Sequence, residues 1–263
     1  MFINGISFNY DFYNNCKNNK NNISEYNVSI NENNFPFNLD VFKFFKSGSE
    51  INFNKSVTFF VGENGSGKTT FIEALCFKLG LNKFGGAKNF ILNENEKPIL
   101  SDFLSLDKSL TKESDSFFFR AENFFNLENE LENYTSSGIP GKELVYGYTG
   151  CEKNFREMSH GQGFKAFFEN RVRENGIYIF DEPESALSVQ SQIEFLFLLK
   201  ELSKLGNQIF IITHSPIILS FPDSEIFDIS DNFEKIEYKN SNQLNDYLNF
   251  FKHVKMYRNE LLK

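Results

Sequence analysis

Residues Val57 to Thr70 read VTFFVGENGSGKTT, an apolar β-branched and aromatic run, a glycine-rich turn, then a Lys-Thr-Thr that opens an amphipathic stretch from Phe71 to Leu79. The pattern G-x-x-x-x-G-K-[ST] falls on Gly62, Gly67, Lys68 and Thr69. Glycines let the backbone curl until its N–H groups converge on a phosphate, and a strand before and a helix after are what that geometry requires. The nine residues Gly62, Glu63, Asn64, Gly65, Ser66, Gly67, Lys68, Thr69 and Thr70 are therefore expected to hold a nucleotide. Lys68 supplies charge to its phosphates, and the Thr69 hydroxyl is a ligand for magnesium (Mg2+).

A second constellation lies far down the chain. Gly176 to Pro183 read GIYIFDEP, a buried-strand pattern that ends in two carboxylates. Alone, such a pair reads as a core strand with a solvated acidic turn. Beside a phosphate loop it gains a second reading, with Asp181 holding magnesium next to Thr69 and Glu182 polarising the attacking water as general base or orienting group. Burial near phosphate charge is expected to raise the Glu182 pKa.

Another buried-strand pattern, Gln208 to Ile212, is followed by Thr213-His214-Ser215-Pro216. The imidazole thus stands at the C-terminal edge of a strand, where α/β sheets bind ligands. His214 can donate to a γ-phosphate oxygen or, more blandly, satisfy a loop carbonyl. Upstream, Met158-Ser159-His160-Gly161-Gln162 opens an expected helix to Arg173, whose N-terminus offers an anion site or simply a cap.

Taken in order, GENGSGKTT, SHGQ, YIFDEPESALS and IITHS resemble the P-loop, signature, Walker B with D-loop, and switch histidine of ABC-class ATPases. More narrowly, FPFNL (Phe35 to Leu39), FFFRAENFFNL (Phe117 to Leu127) and THSPIIL join these motifs in resembling the small stand-alone bacterial ATPases. Those are related in their nucleotide-binding core to the RecF and chromosome-maintenance ATPases. The resemblance runs from about Phe35 to Ile229 and implies an α/β P-loop fold, with a mixed, largely parallel central sheet and a helical lobe. It also implies ATP and magnesium as ligands and an ATP-dependent homodimer that sandwiches two nucleotides. Ser159, Gly161 and Gln162 would then meet the γ-phosphate bound by the other subunit's Lys68. Ser185, Ala186 and Leu187 match the D-loop, whereas Ser188 replaces its usual aspartate. His160 stands where transporter subunits carry glycine, which departs from a transporter reading.

The Q-loop departs further, since no glutamine lies between Thr70 and Gln162. Glu122, delivered by the strand pattern Phe117 to Phe119, is the expected substitute and the third metal-site residue. Arg120 is expected to neutralise phosphate charge, to hold Glu122, or to pair with a surface acid.

The 263 residues, 40% of them hydrophobic, suffice for one domain with a full core. The expected layout is a core lobe over about 1–85 and 175–240, a helical lobe over about 86–174 and a helical tail over about 241–263. An Asn-rich, low-complexity loop is expected over about 14–34, and Gly85-Gly86-Ala87 are expected to close the first helix. Tyr247, Leu248, Phe251, Val254 and Leu261 can line one face of the tail, beside Lys252, Lys255 and Arg258. A net charge of −8 argues against a broadly basic nucleic-acid surface. Cys16, Cys76 and Cys151 lack metal-ligand spacing and read as reduced thiols. With no signal-peptide pattern and no membrane-spanning apolar run, a cytoplasmic location is expected. The functional expectation is magnesium-dependent ATP hydrolysis by a non-transporter ATPase. The alternatives are a nucleotide-gated interaction module for DNA or a toxin or nuclease partner, and, less favoured, a transporter subunit.

Overall fold

The computed structural model describes residues 1–18, 22–23, 28–83, 85–88, 97–121 and 173–262. Its frame is a seven-stranded sheet in the order β12-β11-β5-β10-β9-β8-β6. These strands are β5 (Val57–Val61), β6 (Gly86–Ala87), β8 (Ser116–Arg120), β9 (Ile177–Asp181), β10 (Gln208–Ile212), β11 (Glu225–Asp228) and β12 (Glu234–Ile236). From β11 across to β8 the strands run parallel, while β12 and β6 close the two edges antiparallel. Every residue of β5, β9 and β10 is buried, as strands covered on both faces must be.

Alternation within those strands sorts the side chains into two cores. Phe60, Ile177, Ile179, Phe210 and Ile212 face one layer, and Val57, Phe59, Val61, Tyr178, Phe180, Ile209 and Ile211 face the other. The first layer is covered by α2 (Asp40–Lys46) and α3 (Lys68–Lys78), and by a small antiparallel sheet of β4 (Ile51–Asn52), β1 (Ile3–Phe8) and β7 (Leu104–Lys108). Phe60 meets Phe71 of α3 edge-to-face at 5.0 Å. The second layer is covered by α5 (Val189–Lys204) through Phe195, Leu199 and Leu202, and by α6 (Pro216–Leu219). The N-terminal strand is latched to the central sheet by Gln208. Its Oε1 accepts from the N–H groups of Phe2 and Ile3 at 2.8 and 2.9 Å, and its Nε2 donates to the Ile3 carbonyl at 2.8 Å.

Several expectations are corrected. The stretch expected as a loop from residue 14 begins inside α1 (Tyr10–Asn18), which Tyr13 and Cys16, one turn apart, anchor in the core. It continues with a two-residue pair, β2 (Asn22–Ile23) against β3 (Val28–Ser29). Helix α3 stops at Lys78, well before Gly85. Gly80 takes φ +76° and the Leu81 N–H donates to the Cys76 carbonyl at 2.9 Å, a left-handed glycine cap. Among the described residues of 86–121, expected as the start of a helical lobe, stand β6, β7 and β8 and the short α4 (Leu100–Phe103). The apolar run Phe117 to Phe119 is fully buried against β9, which is why it joins the sheet.

The tail is helical, as α7 (Asn242–Leu261), but none of its residues is buried. Tyr247, Leu248, Phe251 and Leu261 are exposed rather than docked on the body. Among the described residues, no helix is long and apolar enough to cross a membrane.

Candidate functional site

The loop after β5 is built for an anion. Gly62, Gly65 and Gly67 hold φ of +149°, +87° and +98°, and Gly67 is the N-cap of α3 with no side chain capping it. The first amides of α3 therefore have no partner within their own helix. Lys68 folds back over the loop, its Nζ donating to the carbonyls of Gly62 and Glu63 at 2.8 Å each. Burial lowers the Lys68 pKa, and the carboxylates of Glu182, Asp181 and Asp228 oppose that shift. The loop is also held from β11's end. The Glu63 N–H donates to Ser230 Oγ at 2.6 Å, and the Ser230 N–H donates to Asp228 Oδ1 at 2.9 Å.

Two observations fit a phosphate here. Ser66 Oγ is buried without a partner among the described residues, and a Cβ at Gly65 would meet nothing within 4 Å. Thr69 is exposed and Thr70 half-buried on the first turn of α3. Among the described residues no three His, Cys, Asp or Glu side chains form a metal cluster.

The carboxylates and the imidazole arrive on neighbouring strand ends. Asp181 is the last residue of β9, buried, and in register with Ile212 on one side and Arg120 on the other. Of the alternatives for Arg120, a hold on Glu122 lies outside the described residues, whereas its pairing with acids can be described. Its Nε lies 3.4 Å from Asp181 Oδ2, while its Nη1 lies 2.7 Å from Glu73 Oε1 on α3 and 3.2 Å from the Lys83 carbonyl. The arginine is thus a strut between the strand-end aspartate and the phosphate-loop helix.

Glu182 takes the left-handed conformation at φ +47°, ψ +53°, a strained state for a non-glycine residue and a common mark of working sites. Contrary to expectation its side chain is 40% exposed. Its Oε1 stands 3.7 Å from His214 Nε2, a nitrogen that is itself buried with no hydrogen-bond partner among the described residues. Burial lowers the His214 pKa, Lys68 lowers it further, and Glu182 acts the other way, so the ring is held toward its neutral form.

Sequence reasoning passed over a set of braces around these groups. Glu184 Oε2 accepts from Thr213 Oγ1 at 2.8 Å, and its Oε1 accepts from the His214 N–H at 2.5 Å. Gln192 on α5 donates from Nε2 to the Leu187 carbonyl at 3.1 Å and accepts at Oε1 from Ser215 Oγ at 2.6 Å. The only available signal was the acidic residue inside DEPES. The first turns of α7 were also missed. Asn242, Gln243, Asp246 and Tyr247 line a cleft of about 450 Å³ together with Gly62, Glu63, Asn64, His214 and Asp228. Glu122, Ser159, His160, Gly161 and Gln162 lie outside the described residues.

The family model described as an AAA ATPase domain matches residues 151–219. The macrolide export ATP-binding/permease protein MacB of Vibrio parahaemolyticus is 27% identical over 187 residues, covering 65% of this chain and 27% of that protein. MacB of Campylobacter jejuni is 25% identical over 173 residues, covering 60% and 26%. The chain thus spans about a quarter of the length of the curated relatives it matches. Among solved structures, a metal-chelate type ABC transporter in an inward-facing conformation aligns with 73% of this chain and 76% of its own, at 17% identity and a TM-score of 0.39. The SMC head domain from Thermotoga maritima aligns with 68% and 88%, at 20% identity and a TM-score of 0.35.

Proposed function

We propose that the chain is a P-loop ATPase of the ABC class that hydrolyses ATP as a soluble homodimer closed around two nucleotides, outside any transporter, a reading supported by the family match and the curated relatives. The observation that carries this reading is the grouping of Lys68, folded over the Gly62 and Glu63 carbonyls, with Glu182 and His214, 3.7 Å apart, while Ser66 Oγ and His214 Nε2 both lack hydrogen-bond partners among the described residues. Buried polar atoms left unpaired cost about 1–3 kcal/mol each, and phosphate oxygens would satisfy both.

Lys68 and the loop amides stabilise the charge of the β- and γ-phosphates. Thr69 and Asp181 would hold magnesium, which supplies further positive charge to the phosphate oxygens. Glu182, 40% exposed beside His214, takes a proton from the attacking water or orients it. Neutral His214 donates from Nε2 to the γ-phosphate and carries no extra charge into the site. Ser159, Gly161 and Gln162 of a second subunit complete the wall, with Ser185 to Leu187 running along the contact. Glu122 stands in for the missing Q-loop glutamine. Supporting the non-transporter reading are that missing glutamine and His160 in the signature. A cytoplasmic location follows from the same reading, and DNA, a toxin or a nuclease is the kind of partner it leaves open.

The test is the solution mass of Glu182→Gln protein with and without ATP and magnesium, beside its hydrolysis rate and that of wild type. Loss of about 100-fold or more in rate, with a dimer formed only with ATP, is expected of a positioned base. Hydrolysis at the wild-type rate removes Glu182 from its role, and an unchanged mass removes the shared site. The curated relatives favour a second reading, the ATP-binding part of an exporter. Retention of the protein in washed membranes, released by no salt, would favour it over the first.

A further inference from the structure

His214 Nε2 makes no hydrogen bond among the described residues and stands 3.7 Å from Glu182 Oε1, so the backbone of the turn after β10 has a large part in where the imidazole sits. That turn is joined to the turn after β9 by side chains whose two ends are both occupied. Glu184, in the 3-10 turn Pro183–Ala186, sends one carboxylate oxygen to the fully buried Thr213 hydroxyl and the other to the His214 N–H. Thr213 Oγ1 also accepts from the Ser215 N–H at 3.0 Å. Gln192 supplies a second joint, from the Leu187 carbonyl to Ser215 Oγ. Ser215 Oγ in turn caps α6, accepting from the N–H groups of Ile217 and Ile218 at 3.2 Å each.

We propose that Glu184 is a positioning residue for the hydrolytic site: by tying the turn after β9 to the turn after β10 it fixes His214 over the phosphate loop, with Gln192 as the second brace. The proposal rests on the reading of His214 as the γ-phosphate contact. Filling space does not call for a carboxylate in this position. Burial drives the Glu184 pKa up, against the hydrogen bonds from the His214 N–H, its own backbone and Thr213, and the nearby Glu182 charge raises it further. An apolar side chain would avoid that desolvation penalty. What a carboxylate offers instead is two acceptor oxygens at the spacing of two donors on consecutive residues.

The arrangement has a mechanical consequence. Ser185, Ala186 and Leu187, the residues that resemble the D-loop, directly follow Glu184, and the Leu187 N–H donates to the Glu184 carbonyl at 3.0 Å. A subunit closing on 185–187 therefore moves His214 through Glu184 and Ser215 through Gln192. Contact between subunits and placement of the γ-phosphate donor become one event.

The experiment compares wild type with Glu184→Met, which keeps the volume and removes both acceptors, and with Glu184→Gln, which keeps an acceptor for the His214 N–H and can hold Thr213 with its amide donating to Oγ1 instead of accepting from it. Each is measured for kcat and KM for ATP, and for the titration of the His214 ring by nitrogen-15 NMR, assigned with His214→Asn. Misplacement of a reacting contact by about 1 Å costs up to about 100-fold, so Glu184→Met is expected to lose about 10- to 100-fold in kcat with KM within about twofold. Glu184→Gln recovers most of it. In Glu184→Met the His214 titration moves up toward the ordinary value of about 6.5, because the ring leaves its buried place beside Lys68.

Wild-type kcat in Glu184→Met, or a lost kcat with an unmoved His214 titration, overturns the proposal. If Glu184→Met does not fold, Thr213→Val breaks one of the two bonds from the other side and is read in the same way. His214→Ala separates the two levels. Wild-type turnover there removes the γ-phosphate reading of His214, while the titration in the Glu184 variants still decides whether the brace exists.

Discussion

Replacing Arg120 with alanine tests whether the strand-end aspartate depends on its strut. The guanidinium is 15% exposed and lies between Asp181, 6% exposed, and Glu73, 25% exposed. Removing one partner of a buried ion pair leaves an uncompensated charge and costs about 3–5 kcal/mol. The Asp181 contact falls in that class, whereas Glu73, one-quarter in water, adds little. The expected loss is therefore about 3 kcal/mol, a drop in Tm of roughly 6–12 °C for a chain of this size. Arg120→Lys should recover less than half of it, since a single ammonium cannot reproduce the forked contact.

Adding ATP with magnesium provides an internal check. With magnesium held by Asp181 as proposed, the cation would bring it countercharge, and the ligand should then raise the Tm of Arg120→Ala by more than it raises that of wild type. Thermal unfolding followed by circular dichroism, with and without ligand, supplies all four numbers. A variant that melts within about 2 °C of wild type would refute the strut and return Arg120 to the status of a surface cation.

Two other consequences can be measured. Gly67→Ala places a Cβ 2.9 Å from Val41 Cγ1 at φ +98°, whereas Gly65→Ala at φ +87° meets nothing within 4 Å. Titration with a fluorescent ATP analogue should show affinity falling by about tenfold more for the first than for the second, since left-handed strain of about 1–2 kcal/mol is common to both. The second concerns pH. His214's folded pKa lies below its unfolded value, so the unfolded chain binds the proton first. Its contribution to stability is complete above pH of about 6.5 and is lost as pH falls from there through the folded value. Urea unfolding at pH 5 and 7.5 should show a smaller difference for His214→Gln than for wild type, and an equal difference would sink the argument.

What could be read in the sequence was what each residue's own neighbourhood decides. VTFFV, IYIFD and QIFII announce buried strands because every position but Thr58 is apolar, aromatic or strand-terminal, and the chemical residues stand at or shortly after the ends of those runs, Asp181 and Glu182 at once, His214 two residues on and Lys68 seven. What escaped depends on which strands become neighbours. Glu184 meets Thr213 across 29 residues, Arg120 meets Glu73 across 47, and Glu63 meets Ser230 across 167. Local composition misled twice. The asparagines around Tyr13 and Cys16 masked a two-residue anchor, and two candidate glycine stops after α3 were decided by the left-handed Gly80 rather than by Gly85 and Gly86.

Parallel order explains why such scattered residues form one site. Strands β5, β10, β9 and β8 lie side by side with their C-terminal ends at one edge, about 4.8 Å apart per step. Register then places Phe60 beside Ile212, Ile212 beside Asp181, and Asp181 beside Arg120. The phosphate loop, the histidine turn, the carboxylates and the arginine are consequently a row and not a coincidence of loops. The antiparallel edge strands β12 and β6 carry none of these groups, since their chain direction would deliver opposite ends. The row is gripped from both faces of the sheet: α3 holds the phosphate loop and Glu73 on one side, and α5 reaches in with Gln192 on the other. A change in one strand's packing therefore displaces two neighbouring catalytic turns together, which is why interior substitutions in β9 and β10 should alter turnover before they alter nucleotide affinity.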